Sequence, residues 1–238
     1  MHSNDRAWVA TRKVLFELRR QGTNWNLHNS SFLGEPVTML LPPDDRGRML
    51  AALNLGHFGV KLHASPDAGA TWQEVASPTA EDQNIQDAHR IQRCAAQPDV
   101  LWCQHHGGIW RSTDKAANWH EVKAQPSSFG FALAVHPEDG NTAWFVPAVK
   151  DEKRVPVDGA MVVNRTRDGG QTFDTLRRGL PQHNAFDLVY RHGLDVAADG
   201  QTLIMGSTTG NLWASGDGGD SWQTVSSHLS PIATVRLG

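Results

Sequence analysis

The chain has 238 residues, 39% hydrophobic and 20% charged, with a formal net charge of −3. Those values suit a globular chain long enough to bury a sizeable core. They give no basic footprint for nucleic acid and no apolar run that could span a membrane. The opening MHSNDRAWVATRK lacks the apolar stretch of a signal peptide. Cys94 and Cys103 are too few for a disulfide framework. The expected location is therefore the cytoplasm, with both thiols reduced.

In chain order, RAWVATRK and VLFELRR read as two strands, Gln21 to Asn24 as a turn, and WNLH as a third strand. Four fuller units follow, each predicted as strand A, a turn, strand B, a glycine-containing bend, strand C, a second turn and strand D. They run from Val37 to Val75 (with the turn PPDDRG), Ile91 to Val122, Phe131 to Leu176, and Asp187 to Ser226. The last unit shows the plan best: DLVYRHGLDV, AADGQ, TLIMGS, TTGN, LWAS, then WQTVS after the second turn. The closing ATVRLG (233–238) is a strand with no unit of its own.

The second turn is where the units repeat. SPDAGATW (65–72), STDKAANW (112–119), TRDGGQTF (166–173) and SGDGGDSW (215–222) align without gaps, with aspartates at 67, 114, 168 and 217. A fixed period of about 50 residues is the signature of a repeat architecture. An aspartate in a turn accepts hydrogen bonds from backbone N–H groups a few residues on, and Gly69, Gly170 and Gly219 supply positive φ without steric cost. Asp67, Asp114, Asp168 and Asp217 are thus read as structural pins. The aromatic that closes each turn is expected to start strand D and pack between neighbouring sheets. Nine tryptophans against a single tyrosine fit one anchor per repeat.

These four turns resemble the Asp-box (BNR) propellers, which include sialidases, sortilin-type domains and many sialidase-like or glycosyl-hydrolase-like proteins. The resemblance implies an all-β chain, a five-bladed β-propeller of four-stranded antiparallel blades, with 1–238 as a single domain. The blades are predicted at 7–28 plus 233–238, 37–76, 91–124, 131–177 and 187–226, the C-terminal strand joining the N-terminal blade and closing the ring, which removes exposed edges. LNLGHFGVKLH, NIQDAHRI, AWFVPAVKDE and VYRHGL are similar to segments of longer relatives that carry extra blade sequence where this chain has only SPTAEDQ (77–83). The chain therefore resembles a shortened member of the group.

Meander topology sorts the loops to two faces. The A–B turns and the pinned turns share one face, with generic turn sequences. The B–C and D–A loops share the other, and there carboxylates, histidines, arginines and amides converge, the default arrangement of a site. The candidate ligand-binding residues are Arg12, His57, Asn84, His89, Arg90, His105, His106, Lys150, Arg154 and His192. Asp87, Glu35 and Asp151 are the candidate catalytic acids and bases; a glycosidase would need two of them about 5 to 9.5 Å apart. His57, His89 and His106 could together hold a divalent metal; otherwise no cofactor is called for. His105 and His106 are adjacent, and adjacent strand residues face opposite ways. His63 reads as a hydrogen-bonded packing residue, and Lys150 to Arg154 as a solvated loop.

In the sialidases of this fold three arginines hold the substrate carboxylate, and Arg12, Arg90 and Arg154 are the counterparts the resemblance offers. Sialidase activity is nonetheless not expected. The family's arginine–isoleucine–proline signature stands only as Arg154-Val155-Pro156, and Tyr190 lies inside a predicted strand. The function expected is binding of a small-molecule ligand, glycan or anionic, or of a protein partner at the axial mouth, without catalysis; the alternative is a glycoside-hydrolase-like or metal-assisted hydrolase. Neither nucleic acid nor membrane is an expected partner, and the chain is expected as a monomer, or as a homodimer should five blades close imperfectly.

Overall fold

The computed structural model of the chain describes residues 5–11, 13–22, 24–55, 60–75 and 87–237. The structure is all-β: five antiparallel meander sheets, the blades of a five-bladed propeller. Chain contacts divide it into two compact units, 1–88 and 89–238. Among the described residues no helix is long and apolar enough to cross a membrane.

The first unit holds two sheets. One is β1 (Arg6–Ala10), β2 (Leu15–Gln21) and β3 (Asn24–Ser31); the other is β4 (Val37–Leu41), β5 (Met49–Asn54), β6 (Val60–Ser65) and β7 (Gln73–Glu74). Strand β5 is buried from Met49 to Leu53, as expected of an apolar run between covered faces. Leu15, Val37, Ala51 and Leu53 form the apolar seam between the two sheets, with Trp8, Phe32 and Trp72 against it. His63 packs edge-on against Phe32 at 5.1 Å. That supports its packing role, but its buried Nδ1 makes no hydrogen bond.

The second unit holds three four-stranded sheets: β8 (Ala88–Arg93), β9 (Leu101–His105), β10 (Gly108–Ser112) and β11 (His120–Val122); β12 (Gly130–Val135), β13 (Ala143–Pro147), β14 (Val163–Thr166) and β15 (Asp174–Leu176); and β16 (Leu194–Val196), β17 (Leu203–Gly206), β18 (Leu212–Ser215) and β19 (Gln223–Ser226). In each, burial fades outward: β12 and β13 are buried throughout, whereas Asp174 and most of β19 are exposed. Trp102 and Phe145 fill the seam between the first two of these sheets, and Trp144, Trp213 and Trp222 fill the next. The indoles are also directional. Trp102 Nε1 donates to the Gly140 carbonyl at 2.9 Å, and Trp144 Nε1 to that of Gly218 at 2.8 Å, so each tryptophan grips a turn of the following sheet.

Three boundaries differ from the sequence reading. The inner strand of the third blade begins at Ala88 rather than Ile91, which takes His89 and Arg90 out of a loop and into a buried strand. The last inner strand is only Leu194–Val196, and His192 sits in a turn closed by Gly193 N–H to the Tyr190 carbonyl, 2.7 Å. The first sheet has three strands. The C-terminal strand, expected in the first sheet, pairs elsewhere: it runs parallel to the approach to β16, where Thr234 bridges His192 and Val235 N–H donates to the His192 carbonyl at 2.8 Å.

The four pinned turns have the predicted anatomy. In each, one aspartate oxygen accepts the preceding Ser or Thr hydroxyl and a backbone N–H four residues on, and the other accepts a side chain four residues on; for Asp114 these are Ser112, Asn118 N–H and the Asn118 amide, at 2.9, 2.9 and 2.6 Å. Asp168 is held down to about pKa 2 by the Thr172 hydroxyl, and Asp217 to about 2 by that of Ser221. Gly170 adopts φ +93°, and a Cβ there would strike Val122. At the matching place in the second turn Ala116 takes φ +70°, a conformation glycine would adopt more cheaply. Asp114→Ala removes three hydrogen bonds from this already strained turn. The expected loss is about 1–2 kcal/mol, or a Tm fall of about 3–6 °C at this chain length, read by calorimetry; an unchanged Tm would mean the turn stands without its aspartate.

Candidate functional site

In the second unit, the B–C turns and D–A crossovers gather around one ring, Phe131, itself 3% exposed. His89 stacks on it at 4.4 Å, nearly parallel, and Phe129 and Tyr190 meet it edge-on at 5.4 and 5.8 Å. The guanidinium groups of Arg154 and Arg191 lie over it at 5.3 and 6.0 Å, within cation–π range. Ala132 and Leu133 enter the seams on opposite faces of β12, and the register shift between Gly130 and Leu133 leaves Phe131 outside both, clustered with Ala148 and Leu188.

His89 is buried because it has a partner inside: Nδ1 donates to the Gly130 carbonyl at 2.6 Å. That bond places the proton on Nδ1 and the lone pair on Nε2, the form a metal ligand needs. His106, exposed on the turn between β9 and β10, meets His89 at 5.6 Å and Phe129 at 5.9 Å. Asp87 stands two residues before His89 on the same run of chain. Asp87, His89 and His106 each offer a ligand atom, and these atoms lie within 4.8 Å of one another. Two imidazoles and a carboxylate suit a divalent transition metal. The expected metal set was His57, His89 and His106; His57 lies outside the described residues, as do Arg12 and Asn84.

A second feature is positive charge. Arg90 is 5% exposed and donates to the carbonyls of Arg191 and Leu194, the latter at 3.3 Å. Burial and the neighbouring Arg236 bring its pKa down to about 10, against the pull of Asp195, so it stays charged at neutral pH. Arg236 Nη2 donates to His192 Nδ1 at 3.3 Å, and Asp195 lies 3.7 Å from Nη1 of Arg236. His192 is pushed down to about 4, first by burial and then by Arg90, Arg236 and Arg191.

The other expected residues fall apart. His105 turns away from His106, as strand alternation requires: it is buried against Trp110, and Nδ1 accepts from Gly107 N–H at 2.9 Å. That removes it from the ligand-binding set. Asp151 pairs with Arg154 at 2.6 Å and Lys150 with Glu152 at 3.3 Å on an exposed loop. Glu35 belongs to the first unit, its N–H donating to the Phe32 carbonyl at 3.1 Å. Sequence reasoning passed over Phe131 and Arg236, which carry no motif. Arg236 stands 44 positions from His192, and only the fold joins them.

Residues 60–188, more than half of the chain, match the family described as sortilin, neurotensin receptor 3. The chain belongs to the Sortilin-Vps10 family. This sortilin-family chain is also 24% identical to a xyloglucanase of Paenibacillus sp., over 73% of its own length and 19% of that protein's, so it spans about a fifth of the curated relative it matches. Among solved structures it is similar to an ancestral GH74 enzyme (TM-score 0.67, 15% identity, 90% of this chain and 29% of that one). It is similar also to the GH74 xyloglucanase of Xanthomonas campestris (0.63, 15%, 93% and 36%) and to YCF48 of Cyanidioschyzon merolae (0.63, 13%, 95% and 71%). At these identities the likeness shows the propeller fold alone.

The depressed pKa of His192 sets a pH dependence. In the folded chain the ring stays neutral down to about pH 4, whereas the unfolded chain protonates it near 6.5. Its contribution is therefore complete above about pH 6.5 and is lost as pH falls from there to about 4. Urea midpoints measured across that range should fall less steeply for His192→Asn than for the parent chain. Parallel slopes would show that the ring is not held neutral.

Proposed function

We propose that this sortilin-family chain is a ligand-binding propeller and that its ligand is anionic, a peptide with a free C-terminal carboxylate. The observation that carries the reading is the gathering of Arg90, Arg191 and Arg236 around His192, next to the aromatic floor of Phe131 and Tyr190. Asp195 is the carboxylate that acts on Arg90 and lies beside Arg236. Guanidinium groups match carboxylate geometry, and Tyr190, 37% exposed, offers aromatic surface to the side chain beside it. The family description names a receptor for a peptide, which agrees with this class of ligand. The test is fluorescence anisotropy with a labelled peptide of apolar C-terminal residue, in free-acid and amidated forms. The free acid should bind at least tenfold more tightly, and Arg191→Gln should reduce that preference about tenfold. Equal binding of the two forms, or binding of neither, overturns the reading.

A second reading, a metal-assisted hydrolase, is favoured by the Asp87, His89 and His106 group. A metal held there would supply Lewis-acid activation of a carbonyl, phosphoryl or glycosidic substrate. Titration with Co²⁺ should then give visible d–d absorption with one-to-one stoichiometry, lost in His106→Ala, and Zn²⁺ should raise the Tm. Absence of both signals removes this reading.

A further inference from the structure

A cavity of about 600 Å³ lies in the second unit between the crossover that follows β15 and the outer strands β18 and β19. Its size falls within the usual range of small-molecule sites. It is separate from the Phe131 site, and the anionic-ligand reading does not use it. Leu180, Pro181, Ala185 and Trp213 give it apolar walls, and Asn184 stands among its polar ones.

The buried charge in it is Asp187, 6% exposed. One of its oxygens, Oδ1, accepts from the Ser207 hydroxyl at 2.7 Å, the Asn211 amide at 2.7 Å and the Thr209 hydroxyl. The three donors are neutral, and they fix the carboxylate plane against the turn between β17 and β18. The other oxygen, Oδ2, has no hydrogen-bond partner among the described residues, nor is it among the sealed, unsatisfied atoms. No cation pairs with Asp187 among the described residues. Not every buried charge of the unit is left so. Arg165, for example, is matched by Asp174 at 3.0 Å and Asp220 at 2.7 Å.

A buried carboxylate oriented through one oxygen, unmatched by any cation and lining an open cavity, lacks the half of an ion pair that a ligand can bring. An ammonium or guanidinium on an aliphatic stem answers both parts of the site. The charged head donates to Oδ2, and the methylene groups lie along Leu180, Pro181 and the Trp213 indole. We infer that this cavity binds the side chain of a lysine or arginine presented by a partner peptide. If Asp187 served only to pin the 207–211 turn, the cavity would show no preference for charge.

The experiment follows the side-chain indole ¹⁵N–¹H signal of Trp213 on titration with N-acetyl-lysine methylamide, N-acetyl-arginine methylamide and, as the uncharged control, N-acetyl-norleucine methylamide. Saturable shifts are expected with a basic amide and not with norleucine, and Asp187→Asn should weaken binding at least tenfold. The lysine and arginine arms decide which head group the site takes. Should Asp187→Asn unfold the turn, Thr224→Phe decides: it fills the mouth of the cavity from the exposed strand β19, leaves the carboxylate network intact, and should weaken binding by a similar factor. No saturable shift with either basic amide, equal response to norleucine, or unchanged binding in a folded variant overturns the inference. None of these outcomes bears on the carboxylate preference of the Phe131 site.

Discussion

Everything else in this chain depends on the apolar seam between neighbouring sheets. A four-stranded meander buries neither face by itself, so each sheet is stable only against the next. The seam residues are few and large: Trp102 and Phe145 in one, Trp144, Trp213 and Trp222 in another. Each aromatic side chain removes a great deal of apolar area from water for little loss of rotamer freedom. Because the Trp102 and Trp144 indoles also donate to turn carbonyls of the following sheet, the seams have a defined register as well as a buried area.

The pinned turns depend on those seams and complete them. Each aspartate satisfies the polar groups of its own turn, so that the aromatic at its end can enter the seam without drawing unpaired N–H groups in after it. Each turn is also tied to the A–B turn of its own sheet, as in Gly169 N–H to the Asn141 carbonyl at 3.0 Å and Gly218 N–H to that of Gln201 at 2.9 Å. One end of each of these four blades is thereby closed with hydrogen bonds. The B–C and D–A loops lie at the other end; there the chain places His106, Arg154 and Arg191, next to His89 at the start of β8.

Charge in the second unit is distributed by the same logic. Arg165 is buried and matched by two carboxylates and the Gly218 carbonyl, and so serves the fold. Arg90 is buried with backbone carbonyls as its partners, and its charge reaches His192. Asp187 is buried with neutral donors alone. A buried charge matched within the fold is held by its partners, whereas one with an open side keeps an unmet demand for a counter-charge. Phe131 lies beside the arginines and Asp187 beside a cavity, so the two surfaces carry charge of opposite sign.

The sequence by itself determined the all-β repeat. Ser/Thr-x-Asp-x-Gly/Ala-x-Ser/Thr/Asn-aromatic closes its hydrogen bonds within seven residues, and local interactions are legible in local sequence. It was enough to place most strands and to assign Asp67, Asp114, Asp168 and Asp217 to structure. Strand alternation likewise foretold that His105 and His106 would part. Tertiary structure alone decided the rest. His89 and Arg90 read as loop residues because a polar pair ahead of an apolar run resembles a crossover; they are buried strand residues whose side chains donate hydrogen bonds to the Gly130, Arg191 and Leu194 carbonyls, from 41 to 104 positions away. Phe131 looks like any seam aromatic, and Asp187 like any acid at a strand end, until sheets far apart in sequence bring cations to the one and, among the described residues, none to the other. Side-chain direction at such places is set by the packing of neighbouring sheets, and no local pattern encodes it.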